Sequence, residues 1–131
     1  MNVNVKEQAD RRTYRRYLVK DSVFLTFRPT FNKLGSLKDI SRSGVSFEYI
    51  AYESMDTPHS VEIDIFSKSM DIHLSKVPCR VVYDVKVDDS FAMSQVETRR
   101  CGLQFEGLSN HHASQLKNIL SNYISGPAPY I

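Results

Sequence analysis

Two stretches of the chain combine residue types that bind anions and nucleobases. The first is "DRRTYRRYLVKD", which begins at Asp10 and sets Arg11, Arg12, Arg15 and Arg16 within six residues. An arginine offers a planar, permanently charged fork that grips phosphate through two N–H groups and stacks on aromatic rings. The spacing gives Arg-x-x-x-Arg in two registers, Arg11 with Arg15 and Arg12 with Arg16. The second is "DISRSG", in which Asp39, Ser41 and Gly44 form Asp-x-Ser-x-x-Gly. A carboxylate there can accept two N–H bonds from the edge of a guanine, and a hydroxyl can donate to a phosphate. Gly44 leaves room for a close backbone approach. Taken singly, each has a plainer reading. A basic run is usually a solvated tail, and Asp, Ser and Gly are what a turn between two strands requires.

Charge distribution favours an anion site. The chain of 131 residues has a net charge of +2, but residues 11–20 carry five cations and no anion. The remainder is therefore net negative, and the positive field is focused in one place. That balance argues against a protein that coats nucleic acid. The chemistry of an enzyme is also missing. Glu62 and Asp64 share a strand face but look solvent-facing, and no Gly-rich phosphate loop or nucleophile–base order is present. His111 and His112 read as cap-adjacent surface residues, since a bare pair does not close a zinc site. Cys79 and Cys101 fall in strand-like segments and read as reduced core thiols. No apolar run approaches the ~20 residues that span a bilayer, and the N-terminus lacks a signal-peptide core. These features lead us to expect a cytoplasmic protein with no membrane insertion.

The elements that must position these residues are mostly strands. "VFLTF" (23–27) reads as a strand stopped by Pro29 and "KLGSLKDIS" (33–41) leads into a turn at "SRSG", while "VSFEYI" (45–50), "VEIDIF" (61–66), "VPCRVVYDV" (77–85) and "TRRCGLQF" (98–105) place apolar residues on one side with a period of two. In the fifth of these the alternation puts Val77, Cys79, Val81 and Tyr83 on one side. The stretch 86–97 reads as a hairpin loop. Arg99 and Arg100 point to opposite faces, and the pattern does not say which faces the basic mouth. The period then changes. Ser109 is a candidate N-cap, and Ala113, Leu116, Ile119, Leu120, Tyr123 and Ile124 recur at helical steps until "SGPAP" (125–129) ends them. Six strands and one helix predict a small antiparallel barrel with the helix packed on it.

The two motifs in this order, with a strand between them and a period-two strand after, resemble the PilZ domain. "RRCGLQF" (99–105) also looks like that family's late barrel strand. The resemblance implies a six-stranded antiparallel split barrel with a C-terminal α-helix and a flexible N-terminal arm. It implies a PilZ-like domain at 11–125 and a tail at 126–131, after residues 1–10, whose polarity and lack of periodicity read as a flexible stretch. It also implies a receptor for cyclic di-GMP with no other cofactor. By that resemblance Arg11, Arg12, Arg15 and Arg16 grip phosphates and guanines, with Arg12 and Arg16 the better match because "YLV" follows directly. Asp39, Ser41 and Gly44 form the facing wall. The expected action is a switch: the dianion neutralises "RRTYRR" and pins it across the barrel mouth. A separate protein then reads the new surface, with the chain itself a monomer or weak homo-oligomer. Two alternatives remain: a PilZ-like interaction module that binds no nucleotide, and a small-barrel nucleic-acid binder.

Overall fold

The computed structural model describes residues 14–20, 22–52, 57–88 and 96–129. Arg11 and Arg12, and the stretch 1–10, lie outside the described residues. Among the described residues, eight strands run in the order β1 (Tyr17–Val19), β2 (Val23–Phe27), β3 (Leu34–Ile40), β4 (Gly44–Tyr52), β5 (Ser60–Ser67), β6 (His73–Asp88), β7 (Val96–Phe105) and β8 (Ile124–Pro127), with α1 (Asn110–Asn122) before β8. Six of them form a closed antiparallel barrel, because β2 pairs with both β5 and β3 and so joins the two ends of β5–β6–β7–β4–β3. Closure removes the exposed sheet edges that an open sheet would leave.

The alternation read from the sequence fills the barrel. Leu25, Val45, Phe47, Ile63, Ile65, Leu74, Cys79, Cys101 and Leu103 are all buried inside it. Both cysteines are free, and burial pushes the Cys101 thiol up to about 12, which suits an inert core residue. α1 covers the barrel with Leu116 and Ile119. Ser109 caps the helix as its sequence suggests: its side chain accepts the N–H of His112 at 3.0 Å. The His112 ring bonds the Ser75 carbonyl at 2.8 Å, so it fastens the helix to β6.

The structure departs from the sequence pattern in several places. First, the helix stops at Asn122, and Ile124 does not extend it. Residues 124–127 instead form β8, which pairs with β1, a second strand that the pattern had not marked. Second, the stretch 86–97, expected as a loop, is strand at both ends, since β6 reaches Asp88 and β7 begins at Val96; residues 89–95 lie outside the described residues. Third, the register of β6 shifts between Val81 and Tyr83. The extra residue, Val82, turns Tyr83 outward opposite Gly102 and sends Asp84 inward opposite Cys101.

Inside that end of the barrel a polar network forms. Arg99 donates to the Asp84 carboxylate at 2.9 Å and to its backbone carbonyl at 2.7 Å. Tyr49 and Thr57 also donate to Asp84. Burial alone would raise the Asp84 carboxyl, but the bonds from Thr57, Tyr49 and Arg99 outweigh it and hold the group below its ordinary value. Tyr49 is raised, by burial first and then by its bond to Asp84. On the neighbouring strand β5, Asp64 is not solvent-facing as its strand pattern suggested. Arg28 grips both its oxygens, at 2.6 and 2.9 Å, and only 8% of its side chain is exposed.

Candidate binding face around Asp39

A register shift in β3 builds this face. Leu37 points inward opposite Phe47, and simple alternation would turn Asp39 inward as well. The pairing slips between Leu37 and Asp39, so Lys38 is the extra residue and Asp39 comes out opposite Ser46. Ile40 then returns to the core opposite Val45. Without losing the strand, the shift thus carries the Asp39 carboxylate to the outer face of the barrel, where its neighbours still keep it largely covered.

Asp39 is 11% exposed and held from two sides. Arg16 Nη1 meets its Oδ1 at 2.6 Å, and Arg100 Nη2 meets its Oδ2 at 3.1 Å. Arg100 also donates to Ser46 Oγ at 3.3 Å and lies 3.7 Å from Glu48. Arg16 arrives from the residue before β1, which pairs with β3 through Tyr17–Ile40 and Leu18–Asp39. Arg100 arrives from β7. Two cations therefore converge on one carboxylate, one from the barrel wall and one from the N-terminal segment.

The same row continues across the barrel. Asp39, Ser46, Gly102 and Tyr83 face one another on β3, β4, β7 and β6. At ~4.8 Å between strands, the row spans roughly 14 Å. Its middle holds the small residues Ser46 and Gly102, both buried beneath their neighbours. The Tyr83 ring covers Gly102 so closely that a Cβ there would lie 2.1 Å from Cε2. Tyr83 keeps 38% of its surface exposed and offers a π face beside the charged cluster.

The seven residues expected from sequence fare differently. Arg16 and Asp39 come together. Arg15, next to Arg16, turns away and lines a cavity with Tyr17 and Arg42. The register Arg12–Arg16 thus has a member at Asp39, although Arg12 itself lies outside the described residues. Ser41 does not share a face with Asp39, because the strand ends at Ile40. It is fully buried, and its hydroxyl accepts the N–H groups of Ser43 and Gly44 at 3.1 and 3.2 Å, which builds the turn. Gly44 allows a close approach, but by the protein itself: a Cβ would sit 2.2 Å from the Leu103 carbonyl oxygen. Sequence alternation had left Arg99 and Arg100 undecided; Arg100 is the one on this face. Tyr83 escaped notice because a single extra residue reverses alternation without changing composition.

Among the described residues, no three His, Cys, Asp or Glu side chains gather as metal ligands would. The face is instead one carboxylate, two guanidiniums, small hydroxyl and glycine positions, and an aromatic ring. Such a set can bind a planar base with two adjacent N–H donors and an attached anion.

Comparison with known proteins agrees with this architecture. The PilZ domain of YcgR from Escherichia coli, solved with c-di-GMP, superposes with a TM-score of 0.63 at 16% identity, covering 85% of this chain and 90% of that one. The structure of YcgR from Escherichia coli in complex with c-di-GMP gives a TM-score of 0.57 at 18% identity over 85% of this chain, which spans 45% of that longer one. At such identities the likeness establishes the fold. No curated protein matches the chain. A family model of the PilZ domain matches residues 10–122, from the arginine cluster through the helix, and the chain belongs to the PilZ domain family.

Proposed function

We propose that this chain is a cytoplasmic receptor for cyclic di-GMP that binds on the Asp39 face and signals to a separate protein. The observation that carries the reading is the Asp39 carboxylate, held outward between Arg16 and Arg100. A guanine presents two donors, N1–H and N2–H₂, and Asp39 offers two acceptor oxygens. Its O6 and N7 suit an arginine fork. The phosphates need cations, which Arg16 and Arg100 supply, with Arg11 and Arg12 as the further arginines of the arm, while Arg15 faces the other side of the segment. Tyr83 offers a ring on which a base can stack. Ser41 and Gly44 serve the site through the turn that fixes the end of β3. The comparison structures that carry c-di-GMP support the same ligand.

The action proposed is binding without a reaction. Arg16 exchanges Asp39 for a phosphate of the ligand, and the dianion gathers the remaining arginines. The arm, proposed to be mobile over 1–10, is then ordered against the domain at 11–125, an order–disorder switch. Arg100 keeps Asp39 neutralised while Arg16 changes partner.

Isothermal titration tests this. Cyclic di-GMP should bind saturably, and cyclic di-AMP at least about tenfold more weakly, because adenine lacks the paired donors that Asp39 accepts. Equal affinity for the two dinucleotides, or no heat with cyclic di-GMP, would defeat the reading. Salt-sensitive binding to any oligonucleotide, without preference for cyclic di-GMP, would favour the nucleic-acid alternative.

A further inference from the structure

The segment that delivers Arg16 has two working sides. Successive residues of an extended chain leave on opposite sides. Arg16 reaches Asp39. Arg15 and Tyr17 instead line a cavity of about 380 Å³ together with Tyr14, Arg42, Leu120 and Ile124. A second cavity, of about 500 Å³, adjoins it at Arg42 and Leu120 and continues along α1. The helix contributes Ala113, Leu116, Lys117, Leu120 and Ser121 to this second cavity. These fall at i, i+3, i+4, i+7 and i+8, one continuous stripe of a helix. The β3–β4 turn forms the opposite wall through Arg42, whose guanidinium sits 6.0 Å over the Tyr14 ring.

The floor of this groove is apolar and its rim is cationic. Leu116, Leu120 and Ile124 supply the first, and Arg15, Arg42 and Lys117 the second. Among the described residues, no carboxylate lines either cavity. An amphipathic helix laid in a groove buries its apolar stripe and sets its flanking charges against the rim. Here the complementary flank is acidic. A 13-residue helix such as α1 is ~20 Å long, which accommodates three to four turns of a partner.

We propose that this groove docks an acidic amphipathic helix of a partner protein. Its link to the ligand rests on the function proposed above. The arm carries both Arg16 and the groove wall of Arg15 and Tyr17, and the "DISRSG" turn carries both Asp39 and Arg42. Movement of Arg16 from Asp39 to a ligand phosphate therefore moves one wall of the groove.

The test uses fluorescence anisotropy of a labelled Leu/Glu amphipathic peptide of roughly 14 residues, the length of α1, titrated with the full chain. Saturable binding is expected, with the Leu/Lys counterpart failing to bind. Arg42→Glu and Leu120→Glu should each weaken binding at least about tenfold. Arg42 is exposed, so Arg42→Glu is a variant that keeps the fold even if Leu120→Glu does not. Indifference of the peptide to Arg42→Glu, equal binding of the acidic and basic peptides, or no saturable binding would overturn the groove. So would capture of the chain by phosphatidylserine vesicles that outcompetes the peptide, which would make this face a membrane surface. Repeating the titration with saturating cyclic di-GMP should shift the peptide affinity by about threefold or more. An unchanged affinity with ligand bound overturns the coupling. If calorimetry shows no cyclic di-GMP binding, the ligand reading fails while peptide binding without it still upholds the groove.

Discussion

Arg99 and Arg100 are neighbours on one strand, and each holds an aspartate, yet they serve different ends. Arg99 points into the barrel and meets Asp84, which also receives Tyr49 and Thr57. Every donor in that network belongs to the barrel or its connection. Arg100 points outward and shares Asp39 with Arg16, which comes from a short segment outside the barrel. Removing one partner from Asp84 leaves a buried charge short of a cation. Removing one partner from Asp39 leaves the other in place. The inner pair can only stabilise. The outer trio can lose a member to a ligand and remain neutralised.

The sharpest way to break this comparison is Arg99→Ala. Breaking a buried ion pair typically costs 3–5 kcal/mol. Arg99 keeps 26% of its side chain exposed, so a loss of about 2 kcal/mol is expected in urea unfolding. The affinity for cyclic di-GMP should stay within about twofold. The mirror experiment is Arg16→Ala. Its unfolding free energy should fall by less than ~1 kcal/mol, because Arg100 still faces Asp39. Its dissociation constant for cyclic di-GMP should rise at least about tenfold, the equivalent of ~1.4 kcal/mol for a charge-assisted contact. If both variants lose stability alike and neither loses ligand, the two sites do the same job.

Acid gives a smaller and more gradual contrast. Asp84 and Asp64 are both held below their ordinary value of 3.8, with hydrogen bonds outweighing burial in each. A carboxyl whose folded value is lowered stabilises the fold while ionised. That contribution is complete above the unfolded value and disappears as pH falls through the folded one. Thermal unfolding should therefore be flat with respect to these groups from pH 8 to about 5 and decline below about 4. In Arg99→Ala the decline should be shallower, because Asp84 has lost a donor that kept it low. An unchanged acid profile would mean that Arg99 does not set the Asp84 ionisation.

The six barrel strands and the helix were legible because each buries one face, and burial imposes a period of two or of three to four on the sequence. Val61, Ile63 and Ile65 show it plainly. What was not legible follows from features that leave no such period. β1 and β8 are three and four residues long and stabilise each other by backbone pairing, with little side-chain burial to mark them. The shifts at Lys38 and Val82 each insert one residue, and these insertions decide that Asp39 and Tyr83 face outward. Composition is blind to them. A spacing of two puts Ser41 on the Asp39 face only where the strand continues through both, and here it ends between them, with the Ser41 hydroxyl bonded to its own loop.

The claim that the outer trio, and not the inner pair, meets the ligand can be tested by one titration followed by backbone amide NMR. With cyclic di-GMP added, saturable shifts are expected at Arg16, Leu18, Asp39, Ser46 and Gly102, with Asp84 and Arg99 nearly still. Shifts centred on Asp84 and Arg99, or no shift at Arg16 and Asp39 when the ligand is saturating, would contradict it.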